Sequence, residues 1–201
     1  MSSVEYHPLA PFVMPHAKVL ILGSFPPPPA RWAMRFYYPN INNDFWRIMG
    51  VVFYQDKGYF IDGKTFKEHL IKDFLYRQGI AIYDTAKAVI RQQDNASDKF
   101  LTIVETTDIK GLLKTLPDCT HIITTGEKAT KILLGEFGHT PAPKIGQSSP
   151  LSINGKTIRL HRLPSSSRAY PLALEQKARH YQAVFAQINL PQAPAQSAVP
   201  K

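Results

Sequence analysis

Val19-Leu20-Ile21-Leu22 is the stretch that most restricts the fold. Four apolar residues in a row, without alternation, put side chains into the interior on both faces of a strand. Such a strand belongs inside a parallel sheet with helices packed on both sides. It runs into Gly23-Ser24-Phe25-Pro26, a turn that stops the strand and presents backbone amides at its carboxyl end. In open α/β sheets that end is where ligands sit. The same Gly-x-x-Pro turn is equally an ordinary strand stop, with Pro26–Pro29 as a stiff spacer.

The remaining pattern is mostly strand, loop, helix. Asn43 or Asp44 caps a helix to about Phe53, with Phe45, Trp46, Ile48 and Met49 as its inward stripe. Residues 65–78 have helical spacing and end at Gly79. Ile80–Tyr83 reads as a second strand, followed by Asp84-Thr85. Thr107 or Asp108 opens a helix closed by Pro117, His121–Thr125 is a third strand, and Gly126-Glu127 opens a helix to Leu134. After a loop over residues 138–150, Leu151–Ile153 and Thr157–Leu163 flank Asn154-Gly155, a hairpin turn. Leu172–Ile188 is the last helix. This order predicts an α/β fold, a three-layer sandwich with a mainly parallel central sheet. One domain over residues 1–190 and a disordered Pro/Ala/Gln-rich tail over 191–201 are expected.

A lone cysteine, Cys119, excludes an internal disulfide, a multi-cysteine zinc site and a four-thiolate cluster. Its place between a proline-led turn and a strand is a poor one for a nucleophile. No apolar run approaches the roughly 18 residues of a membrane helix, and Met1–Met14 lacks the features of a secretory signal. A cytoplasmic protein without membrane, metal or cofactor is expected. No Gly-x-Gly-x-x-Gly, Gly-x-Ser-x-Gly or His-x-x-x-His occurs, so dehydrogenase, hydrolase-elbow and zinc chemistries lose ground, and a kinase is not expected either. The formal charge is +9, of which residues 139–201 carry +7, with Glu175 their only acid. Solvated surface is the plain reading of such an excess; on one face with a pocket it suits a phosphate-lined partner.

Three loops carry unusual polar content: Gly23–Pro26, Asp84-Thr85, and Pro164-Ser165-Ser166-Ser167-Arg168. Loops leaving parallel strands converge on one crevice. The cluster from Phe36 to Trp46 adds flat rings and amides. Phe45 and Trp46 belong to the following helix, whereas Tyr38 and Asn43 lie in the irregular stretch before it. Together these residues suggest a pocket for a planar polar ligand such as a nucleobase. Asp84 either caps a helix or aims into the crevice. The serines either cap the last helix or, with Arg168, contact phosphate. His161 is a strand histidine read as structural.

Leu-Gly-Ser-Phe-Pro after an apolar strand, Tyr37-Tyr38 followed by Asn43-Asp44-Phe45-Trp46, and Leu163-Pro164-Ser165-Ser166-Ser167 before the last helix resemble the uracil-DNA glycosylase superfamily. The nearest branch includes the hypoxanthine-DNA (deoxyinosine) glycosylases, and the likeness runs from about residue 18 to 188. It implies a uracil-DNA glycosylase-like fold and a monomer acting on damaged DNA, nucleoid-associated when bound. Gly23, Ser24, Phe25 and Pro26 match the motif that walls the glycosidic bond, although Ser24 and Phe25 stand where many branches carry a catalytic Asp or Asn. Asn43 matches the asparagine that this branch uses for water, and Tyr38 the ring stacked on the extruded base. Asp84 takes the place of an Asn that reads uracil. Pro164, Ser165, Ser166, Ser167 and Arg168 match the motif that grips DNA. Leu163 replaces its histidine and Ser167 its wedge leucine, with Arg168 or Tyr170 as substitutes for the wedge.

The resemblance therefore implies a monofunctional N-glycosylase of base-excision repair that flips out and removes a deaminated base, hypoxanthine and/or uracil. An ionised carboxylate only accepts hydrogen bonds, so Asp84 implies broader or purine-directed activity rather than strict uracil selection. A non-catalytic nucleic-acid-binding domain of the same fold is the alternative, and a small-molecule α/β enzyme a third reading.

Overall fold

The computed structural model describes residues 3–92, 98–138 and 141–190. The tail expected to be disordered, residues 191–201, lies outside them. Its centre is a five-stranded sheet in the order β5-β2-β8-β10-β9, built from β2 (Val19–Gly23), β5 (Ile80–Asp84), β8 (His121–Thr125), β9 (Ser148–Ile153) and β10 (Lys156–Leu163). The first four run parallel and β9 is antiparallel to β10, so the sheet is mixed rather than uniformly parallel. All of β2 and β5 is buried, as the unbroken apolar runs require. Pro150 fits in β9, three residues into a strand expected to start later, because an edge strand needs no donor on its outer side. Asn154 and Gly155 both take positive φ, 52° and 75°, the geometry of a two-residue hairpin turn.

A second sheet, β1 (Val4–Tyr6), β6 (Ala86–Arg91) and β7 (Leu101–Thr106), is antiparallel throughout and was not expected. No helix follows Asp84. The chain kinks at Thr85, whose amide bonds to the Gly23 carbonyl at 2.9 Å, and leaves the central sheet as β6. Arg91 is buried at the far end of β6 because Glu5 and the Pro26 carbonyl receive its guanidinium.

The helices are α1 (Phe45–Tyr54), α2 (Glu68–Gln78), α3 (Ile109–Lys114), α4 (Glu127–Gly135) and α5 (Leu174–Ile188), and none is long and apolar enough to cross a membrane among the described residues. Helix α2 starts three residues later than its spacing suggests, because Thr65-Phe66 forms β4 and pairs with β3 (Ile61–Asp62). That small hairpin settles another matter. Residues 58–65, Gly58-Tyr59-Phe60-Ile61-Asp62-Gly63-Lys64-Thr65, spell the Gly-x-x-x-x-Gly-Lys-Thr pattern of a phosphate loop. A phosphate loop links a strand to a helix N-terminus through open backbone amides, and here the segment is a β-hairpin with Phe60 buried and the Thr65 hydroxyl donated to the Ala33 carbonyl. A nucleotide kinase is thereby disfavoured on geometry.

Candidate active site

A cavity of about 550 Å³ opens where the carboxyl ends of β2, β5, β8 and β10 meet. Small-molecule sites commonly measure about 300–1,000 Å³. Gly23, Ser24, Phe25 and Pro26 form one wall. Gly23 is required there by contact: a Cβ would stand 2.3 Å from Asp84 Oδ1 and 3.2 Å from the Tyr38 hydroxyl. The bare backbone lets the carboxylate fold over the strand end.

Asp84 lines the cavity and accepts from His7, with Nε2 2.9 Å from Oδ2. His7 follows β1, and its ring lies 4.7 Å from that of Tyr83 and edge-on to Phe25. Burial, then the charge of Asp84, push the Tyr37 phenol pKa far up, and this neutral hydroxyl donates to the Ala10 carbonyl at 2.7 Å.

Tyr38 has φ 51°, a left-handed conformation that a non-glycine residue adopts at a cost of about 1–2 kcal/mol. Two contacts hold it. Phe45 stacks on the ring with centroids 3.8 Å apart and planes 10° from parallel, and the hydroxyl shares a 2.6 Å hydrogen bond with Thr125 Oγ1. Asn43 precedes α1, and its Oδ1 accepts the Phe45 amide at 2.9 Å. That bond fixes the side chain's orientation: the oxygen serves the helix and the NH2 end is the donor for a ligand.

Ser165, Ser166 and Ser167 line the opposite side and do not cap α5. They turn on themselves, Ser165 Oγ accepting the Ser167 amide at 3.2 Å. A bridge between Asn43 and Ser167 and a 3.0 Å bond from the Asp44 amide to the Ser166 carbonyl dock this loop on α1. Asp44 is the hub: Oδ1 receives Arg168 Nε at 3.0 Å and Oδ2 receives the buried Lys177 Nζ at 3.2 Å, while Lys177 also donates to the Ser167 carbonyl at 2.8 Å. Arg168 keeps about half its side chain exposed at the rim, but Lys177 is committed internally.

The geometry thus brings Gly23–Pro26, Tyr38, Asn43, Asp84, Ser165–Ser167 and Arg168 to one cavity. Pro164 is set aside; its carbonyl accepts the Tyr181 hydroxyl at 3.2 Å. Thr125 and Arg31 line the cavity without having been anticipated. A threonine at the end of a parallel strand was the available signal for the first, and a lone arginine after a proline run gave none for the second. Away from the cavity, His161 pairs with His121 at 2.9 Å between ring nitrogens. Burial, then His121 and Arg159, push the His161 pKa down to about 4. Burial pushes the Cys119 thiol up to about 11, leaving it unreactive at neutral pH.

The cavity and sheet define an α/β fold with a crevice site at the strand ends. Neither a protein-family model nor a curated protein matches the chain. The fold is similar to the solution NMR structure of a Methanosarcina acetivorans protein provisionally assigned as a uracil DNA glycosylase, with TM-score 0.62, 22% identity, and 92% of this chain and 99% of that one covered. At that identity the likeness establishes the fold.

Proposed function

We propose that the protein is a monofunctional DNA glycosylase that removes a deaminated base, hypoxanthine or uracil, by hydrolysing its N-glycosidic bond in base-excision repair. The observation that carries this reading is that Tyr38, Asn43, Asp84 and Ser165, from three segments distant in sequence, line one cavity of base-binding size. The similarity to a provisionally assigned uracil DNA glycosylase supports it. The motif resemblance concerns the same residues.

Extruding a base costs a few kcal/mol, and stacking on Tyr38 returns about 1–3 kcal/mol of that. Phe45 and Thr125 hold the ring as a rigid platform. The C1′–N bond breaks with its electron pair leaving on the base, and the sugar gains cation character. Asn43 orients a water whose oxygen bonds to C1′ while its proton passes to solvent; the base takes up a proton at nitrogen. Asp84 accepts the ring N–H of the base. Leu163 is fully buried, and its apolar side chain offers the base no hydrogen bond. The serine loop and Arg168 hold flanking phosphates.

A second reading, a nucleic-acid-binding domain without cleavage, is favoured by two observations: the Asn43 oxygen is already engaged by the Phe45 amide, and the first loop brings no carboxylate of its own. Oligonucleotides carrying inosine, xanthine or uracil, treated with the protein and then alkali, decide between the two. Strand scission at inosine or uracil is the expected result. Tight DNA binding with intact bases throughout would replace the first reading with the second.

A further inference from the structure

His7 lies outside the lining of the cavity, yet it engages Asp84, the one carboxylate that lines it among the described residues. Its side chain is 1% exposed and that of Asp84 9%. Both ring nitrogens are engaged: Nε2 meets Asp84 Oδ2 at 2.9 Å, and Nδ1 lies 3.2 Å from the Leu9 amide and 2.9 Å from its carbonyl. Phe25, Tyr37 and Tyr83 surround the ring, with centroids 5.3, 6.1 and 4.7 Å away. Thr107 holds the Asp84 backbone by a 2.8 Å bond to its carbonyl. These bonds hold the carboxylate with its other oxygen, Oδ1, over Gly23 of the cavity wall.

An ionised carboxylate accepts at two oxygens and pairs side by side with two parallel donors. Guanine offers such an edge, a ring N–H beside an amino group. Hypoxanthine and uracil offer a single ring N–H flanked by carbonyl oxygen. A carboxylate with both oxygens open would favour guanine, an undamaged base. With Oδ2 held by His7, one oxygen is left for the ligand.

We propose that His7 is the positioning residue that sets base specificity, restricting Asp84 to one acceptor so that the cavity takes bases with a lone ring N–H and refuses the paired edge of guanine. This rests on reading the cavity as a base pocket.

The test is the binding of inosine and guanosine, as free nucleosides, to the wild type, His7→Phe and His7→Gln, followed by NMR titration. The wild type is expected to favour inosine. His7→Phe, which opens Oδ2, shifts the ratio toward guanosine by about tenfold or more, the usual worth of a bidentate pair. His7→Gln keeps an N–H donor and keeps the ratio. A folded His7→Phe with the wild-type ratio overturns the proposal, as does an equal shift in His7→Gln. Should His7→Phe fail to fold, the His7 ring N–H resonance of the wild type decides: its persistence on adding inosine supports the proposal, and its loss overturns it. An inosine strand left intact by the wild type would sink the glycosylase reading without altering the nucleoside ratio, so the two failures are distinct.

Discussion

On the proposed glycosylase reading, a single amide, that of Asn43, carries the chemistry of the cavity. Asn43→Ala removes the water's partner and a helix-end acceptor together, and the two losses differ in size. Excision should fall about a hundredfold or more, as for other deleted transition-state donors, while stability falls by only about 1 kcal/mol for the lost cap. Single-turnover kinetics and a melting curve on the same preparation check both. Gly23→Ala should do the reverse of what an alanine scan usually does, adding an atom where Asp84 Oδ1 would stand 2.3 Å away. The carboxylate must leave its place, so base excision is lost in a protein that still folds; circular dichroism beside the strand assay reads the split. That Tyr38 and Asn43 line the cavity was legible in the sequence because they stand in the irregular stretch before α1, outside any periodic apolar stripe. His7 was not, because 77 residues separate it from Asp84 and a hydrogen bond between them leaves no periodicity to read.

Among the elements, the start of α1 matters more than its length. Asp44 joins that helix to the serine loop and to α5 through Lys177, which is 1% exposed. Lys177→Met should cost about 1–3 kcal/mol, because Asp44 keeps Arg168 but its largely buried Oδ2 and the Ser167 carbonyl both lose their buried donor. Urea denaturation measures this, and a loss below about 1 kcal/mol would contradict the assigned network. The unbroken apolar runs of β2 and β5 announced the parallel pairing directly. The antiparallel sheet was hidden for a physical reason. Ala86–Arg91 ends in an arginine that reads as surface and is buried where Glu5 and the Pro26 carbonyl receive it. In β7, Thr102 and the run Val104–Thr106 are solvent-facing, which gives little alternation.

For the molecule as a whole, buried His161, paired with half-buried His121, makes stability depend on pH. Unfolded, His161 takes a proton near its ordinary value of 6.5; folded, it does so only near 4. The unfolded chain therefore binds the proton first, and the contribution is complete above about pH 6.5 and lost as pH falls toward 4. The loss is on the order of 2 kcal/mol. Unfolding midpoints of wild type and His161→Gln across pH 7 to 4 test it: the slope in that window should flatten in the variant. Whether the basic excess of residues 139–201 serves DNA was only partly legible from composition, since charge counts cannot tell Arg168 at the rim from Lys177, which the Asp44 carboxylate has taken inside.

The bond between Asp44 and Lys177 spans 133 positions of chain. A ribosome making this protein therefore releases no working binding slot until nearly all of the described sequence has emerged. On the glycosylase reading, fragments that end before the closing lysine are expected to show no base excision.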